Sequence, residues 1–165
     1  MSTASSEPKA PDAEEGKDSK PEVVYPFGCI DSFLADQVRQ VNQIGHEVSI
    51  TLTVGGNVVT GLLASGREYY KTFGQQYADA LRRTGLDESK AKDIQKSYED
   101  MGTRIYGKKS EEADSHDDVP VAFIHIKNAR ICSGTQWFEV PGGWWRGRLT
   151  SVDGFVLGSF SQSQR

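Results

Sequence analysis

Few side chains in this 165-residue chain could do chemistry. Cys29 or Cys132 with His46 or His125 are the choices for a thiol–imidazole pair, in which a base generates the thiolate nucleophile. His125 lies in the apolar run Val121 to Ile126 and reads as a structural histidine with satisfied hydrogen bonds. Paired carboxylates occur only in charged stretches, such as the five acids between Glu111 and Asp118, where no burial raises a pKa. Those acids lack the alternating Asp spacing and central glycine of a calcium loop. There is no Walker-type phosphate loop and no glycine fingerprint opening a helix. His46-Glu47 is not followed by a second histidine four residues on. Leu63-Ala64-Ser65-Gly66 has the wrong spacing for a nucleophile elbow. Two cysteines build neither a disulfide framework nor a four-ligand zinc site. The chain is therefore expected to hold no cofactor or metal and not to be an enzyme.

The most unusual cluster is aromatic and cationic. Trp137, Trp144 and Trp145 fall within nine positions, next to Phe138, Arg146 and Arg148. Adjacent strand residues point to opposite faces, so Trp144 and Trp145 cannot both enter one core. One of them is expected to face a helical hairpin or a partner. Arg146 and Arg148 share a face and can stack on a partner or pair with it. Trp137, Trp144, Trp145, Arg146 and Arg148 are the protein-contact candidates.

The elements that must position them follow from periodicity. Asp31 caps a helix with apolar positions Phe33, Leu34, Val38, Val41 and Ile44, stopped at Gly45. Val48, Ile50, Leu52 and Val54 alternate with polar residues, as in a half-buried strand. Gly55-Gly56 turns it into a return strand, Val58 to Leu63. Gly61 inside that strand marks a bend or bulge. Tyr70, Phe73, Tyr77 and Leu81, then Ala91, Ile94, Tyr98, Met101 and Ile105, make two helices joined around Gly85, with stripes of the core-facing kind. Strand signals return from Val119 to Cys132, apolar on both faces, with a turn or bulge at Asn128. A last pair, Trp144 to Val152 and Phe155 to Phe160, is joined by the hairpin signal Asp153-Gly154.

Composition sets the frame. Hydrophobic residues are 36% and charged residues 25% of the chain, with a net charge of −4. That balance fits one modest α+β domain over residues 26–160 with a disordered, Pro-rich acidic tail over residues 1–25. Residues 67–107 form an inserted αα-hairpin, 108–118 an acidic loop and 161–165 a frayed end. The negative charge speaks against general nucleic-acid binding, because phosphate contacts need clustered cations. No apolar stretch is long enough for a membrane helix, and Met1 to Glu22 has no signal-like apolar core, so a cytoplasmic location is expected.

Two resemblances come from particular runs. Val48-x-Ile50-x-Leu52 with Gly55-Gly56, Gly61 and Leu63 is similar to the first half of an Sm-like barrel, and Ile124 to Ala129 resembles its third strand. Trp145 to Val152, then Phe155 to Leu157, is similar to its second half. This implies a small antiparallel β-barrel of about five strands with an N-terminal helix and the inserted hairpin. Over roughly residues 28–160 the chain also resembles the gas vesicle accessory protein U family. The runs that carry it are Ser49 to Leu52, Val59-Thr60-Gly61, Glu68-Tyr69-Tyr70, Phe123 to Asn128 and Trp145-Arg146-Gly147-Arg148 to Phe155. This second resemblance implies a non-enzymatic accessory associated with gas vesicles. Its partners would be shell or other gas vesicle proteins, and it would modulate assembly or clustering through self-association. The alternative, from the first resemblance, is an Sm-like RNA-binding or protein-interaction module.

Overall fold

A computed structural model describes residues 30–107 and 121–160. The tail, the acidic loop and the C-terminal five residues expected from the sequence lie outside the described residues.

The first helix, α1 (Ser32–Ile44), starts where the Asp31 carboxylate accepts from the backbone N–H groups of Phe33, at 2.8 Å, and Leu34, at 3.1 Å. Those donors have no partner within the helix, which is why a short acidic side chain fits there. Gly45, at φ 77°, takes the left-handed conformation that ends the helix. Asp31→Ala removes the cap, and urea unfolding is expected to show a loss of about 1 kcal/mol with an unchanged m-value.

Strands β1 (Val48–Val54) and β2 (Asn57–Leu63) form the expected hairpin. Gly55 and Gly56 both have positive φ, as a type I′ turn demands. Helices α2 (Gly66–Arg83) and α3 (Glu88–Tyr106) form the inserted αα-hairpin. Strand β3 (Phe123–Ser133) then pairs along the whole of β2. The register skips between Thr60 and Leu62: Asn128 and Ala129 together oppose Gly61 alone. This is a β-bulge, with Asn128 at φ 51° taking the left-handed position that short polar residues tolerate. Gly61 is required opposite it, since a Cβ there would lie 2.6 Å from the Lys127 carbonyl oxygen.

The end of the chain departs from the sequence expectation. The Asp153-Gly154 dipeptide is not a hairpin turn. Strand β5 (Trp144–Arg148) pairs with β3, and β6 (Gly154–Leu157) pairs with β1. A 3₁₀ turn over Leu149–Ser151 carries the chain between them. Asp153 is held at the β1–β2 turn instead: its N–H donates to the Thr53 carbonyl and its carboxylate accepts from the Gly55 N–H at 2.7 Å. A short strand not read from the sequence, β4 (Gln136–Glu139), pairs with the far half of β3. It is separated from β5 by a 3₁₀ turn over Pro141–Gly143, so β4 and β5 share one edge of β3 in succession.

The sheet order is therefore β4/β5-β3-β2-β1-β6. The α+β class is as expected, with three helices among the described residues, but the closed barrel is not found. Closure needs a ladder between β6 and β4 or β5, and none exists among the described pairings. The sheet is open and antiparallel. One face carries the core: Leu34, Val38 and Val41 of α1 cluster with Ile50, Leu52, Val59, Leu63, Ile124 and Ile126. The opposite face is covered partly by the helical hairpin. It is also crossed by the segment after β6, where Thr51 Oγ1 donates to the Gly158 carbonyl and Arg130 to that of Phe160.

Candidate functional site

Strand alternation sorts the contact candidates. Across the β3–β5 ladder, Phe123 opposes Arg148, His125 opposes Arg146 and Lys127 opposes Trp144. All six side chains point to the face opposite α1. Trp145, paired with Ile126, points the other way and packs against the core cluster. Its indole lies over Gly147, leaving no room there for a Cβ. Trp137 stands apart on β4, where the Arg130 guanidinium lies 5.5 Å from its ring centre. The structure thus brings Trp144, Arg146 and Arg148 onto one surface, gives Trp145 to the core and puts Trp137 beyond the Pro141 turn.

The helical hairpin closes on this surface at one point. His125 has no exposed surface. Tyr69 of α2 covers it at a ring-centre distance of 4.7 Å, and Tyr106 of α3 meets it edge-on at 5.5 Å. Neither ring nitrogen of His125 has a hydrogen-bond partner in the described structure. The structural histidine expected from sequence is therefore buried but unsatisfied. Burial, with the Arg146 charge adding to it, pushes its pKa down to about 3, so the ring is neutral at neutral pH. Burial pushes the Tyr69 and Tyr106 hydroxyls up, and they stay neutral as well.

Polar ties frame the aromatic contact. Lys127 Nζ donates to Glu47 and to Glu68, each at 2.6 Å, which raises the lysine pKa and links β3 to α2. Arg67 donates to the carbonyls of Asn42 and Gly107, and the Asn42 side chain accepts from the Gly66 N–H at 2.8 Å. Gln76 donates to the Gly142 carbonyl.

Sequence reasoning missed how far the aromatic surface extends. Trp144 meets Tyr69 edge-on at 5.7 Å, Tyr69 stacks with Phe73 at 6.0 Å, and Phe73 stacks with Tyr77 at 5.9 Å. Tyr98 of α3 braces the last two. The file rises from the sheet along α2, and its outer members stay in solvent: Phe73 is 37% and Tyr77 42% exposed. The three- and four-residue spacing was the available signal, but spacing alone does not say whether a stripe is covered. Beside the file, the Arg146 guanidinium sits 3.4 Å from the Phe123 ring centre, and both Arg146 and Arg148 are exposed. Flat apolar rings beside exposed guanidinium groups that make no salt bridge among the described residues suit contact with a protein surface.

Of the thiol–imidazole candidates, Cys29 lies outside the described residues, and His125 and Cys132 lie seven residues apart on one strand, ~23 Å at 3.3 Å per residue. Among the described residues no three His, Cys, Asp or Glu side chains converge, and no helix is long and apolar enough to cross a membrane.

Comparison with known proteins gives one match. A family described as GvpU-like, "Gas vesicle protein GvpU-like", matches residues 31–160, which takes in every element described above. No curated protein and no solved structure matches the chain.

Proposed function

The chain belongs to the GvpU-like gas vesicle protein family, and from that premise we propose that it is a non-enzymatic accessory that adheres to gas vesicles and modulates their assembly or clustering. The observation that carries this reading is the family match over the whole described fold, taken with the exposed aromatic and cationic surface. The contact runs along Trp144, Arg146 and Arg148 and continues up α2 through Phe73 and Tyr77. Trp137 extends it beyond the Pro141 turn, and Trp145 anchors β5 from the core side. The partner is the vesicle shell or a protein bound to it. A shell repeats one protein many times, so a modest single contact multiplies into firm adhesion. Self-association of the accessory then links one vesicle to another.

Co-sedimentation with purified vesicles tests the contact. Arg146→Glu with Arg148→Glu reverses two exposed charges, and pelleting is expected to fall at least tenfold. The wild-type protein should also release progressively as salt screens the guanidinium groups. Tyr77→Ala is expected to weaken pelleting, and the lost contacts with Phe73 and Tyr98 to cost about 1–2 kcal/mol in unfolding. If the charge-reversed protein pellets like the wild type, this surface is not the one in contact.

A further inference from the structure

An open sheet has two edges, and this one guards them unequally. The β4/β5 edge is broken by Pro141, Gly142 and Gly143 and carries Glu139, Arg146 and Arg148. Breaks and charges of that kind keep an edge from pairing with another chain. The β6 edge has none of these devices. Its four residues, Gly154-Phe155-Val156-Leu157, include no charge and no proline. Val156 is 53% and Leu157 59% exposed. Beside it Phe33 of α1, 61% exposed, packs against Phe155 at 5.8 Å. Alternate N–H and C=O groups of β6 point away from β1 with no partner among the described strands.

We infer that two copies of the chain pair antiparallel through β6, joining their sheets across a two-fold axis. The occupant is a second copy because the edge is self-complementary. A register centred on Val156 opposes Val156 to itself and Phe155 to Leu157 on either side. Opposed residues then share a face of the sheet, as antiparallel pairing requires. All three pairs are apolar, and Phe33 flanks them. In a chain of net charge −4, this uncharged edge lets two copies meet without like charges opposed. The exposed apolar surface of Phe33, Val156 and Leu157 is on the order of 300 Å² per copy, which places the dimer at the small, transient end of specific interfaces. An isologous contact also closes on itself, giving a dimer and not a fibre.

The consequence for vesicles rests on the proposed function; the dimer does not. Sheet order puts β5 at the far end from β6. Ten strand positions side by side therefore hold two Trp144/Arg146 surfaces on the order of 40 Å apart at about 4.8 Å per strand. Such a dimer presents two contact surfaces at once, the divalence that linking vesicles needs.

Sedimentation velocity on the full chain, from nanomolar to high micromolar, is expected to show a reversible monomer–dimer shift. Val156→Lys is expected to leave a monomer across that range, with an unchanged circular dichroism spectrum. With Cys29→Ser and Cys132→Ser in place, Val156→Cys is expected to cross-link to itself under diamide, because strand pairing brings the two Cα atoms within disulfide reach. Thr150→Cys, in the turn before β6, is expected not to. A chain monomeric at every concentration, a Val156→Lys protein that still dimerises, or equal cross-linking at both positions overturns the pairing. Val156→Lys should still pellet with vesicles but no longer cluster them. Wild-type protein that dimerises yet fails to pellet overturns the vesicle reading and leaves the dimer standing.

Discussion

Between pH 6.5 and pH 3 the protein is expected to lose roughly 3–5 kcal/mol of stability through His125 alone. The unfolded chain offers a solvated imidazole with a pKa near 6.5, whereas the folded one is held at about 3. Across that window the unfolded state binds more protons, so stability is full above the upper value and falls as the pH drops toward the lower one. The groups placed against the ring fit this direction. Arg146 brings a positive charge from β5, and Tyr69 and Tyr106 shut out water without offering a carboxylate that would hold an imidazolium. Lys127, two residues on, is itself cationic and committed to Glu47 and Glu68. His125→Leu removes the titrating group and two unsatisfied polar atoms while keeping a similar volume. It is expected to gain about 1–2 kcal/mol at pH 7. Urea unfolding of both proteins at pH 7, 5 and 4 decides the matter. Exposed carboxylates such as Asp79 and Glu88 titrate alike in the two, so the difference isolates His125. A variant that follows the wild-type slope removes the histidine from the account.

The position of His125 explains what a sequence can and cannot reveal here. Its burial was legible, because Ile124 and Ile126 flank it within an apolar strand. Its lack of partners was not, since Tyr69 and Tyr106 arrive from helices placed by the hairpin. The same division holds across the fold. Helix α1, the Gly55-Gly56 turn and the hairpin helices were readable because caps, positive-φ turns and 3.6-residue stripes act within a few residues. The bulge at Asn128 was readable from its residue type and from the glycine across the ladder. Asp153-Gly154 misled because a local turn signal says nothing about where the flanking strands find partners. Those partners, β3 and β1, were set by long-range pairing. Closure into a barrel is likewise a property of the sheet's two edges. Of the contact candidates, Trp144, Arg146 and Arg148 assembled on one face because period two is local. Phe73 and Tyr77 read as part of a core stripe with Tyr70 and Leu81, and only their lack of cover reveals them as surface.

The second large effect concerns the hairpin that carries this file. Gly74→Ala and Gly102→Ala together are expected to destabilise the protein by about 2–4 kcal/mol. Helix propensity alone gives the opposite sign, since alanine is better than glycine in a helix interior by about 1 kcal/mol. Packing decides between them. Both glycines are buried between α2 and α3. A Cβ on Gly74 would lie 2.8 Å from the Tyr98 Cβ and 2.9 Å from the Gln95 carbonyl oxygen. A Cβ on Gly102 would lie 2.8 Å from the Tyr70 Cβ and 3.4 Å from the Arg67 Cα. These obstacles are backbone and first side-chain atoms, which no rotamer change moves aside, so the helices must separate. Ala78 and Ala91, also buried, would lose contact as they do. Because both substitutions push on one helix pair, the double variant should cost less than the sum of the singles. Thermal unfolding followed at 222 nm reads the loss, and a raised midpoint would show that the helices have room to spare. The effect reaches the contact surface through Tyr98, which braces Phe73 and Tyr77 from α3, and through Tyr106, which seals His125. Separated helices would loosen both supports, so the double variant should also pellet less with vesicles, although it changes no residue of the file itself.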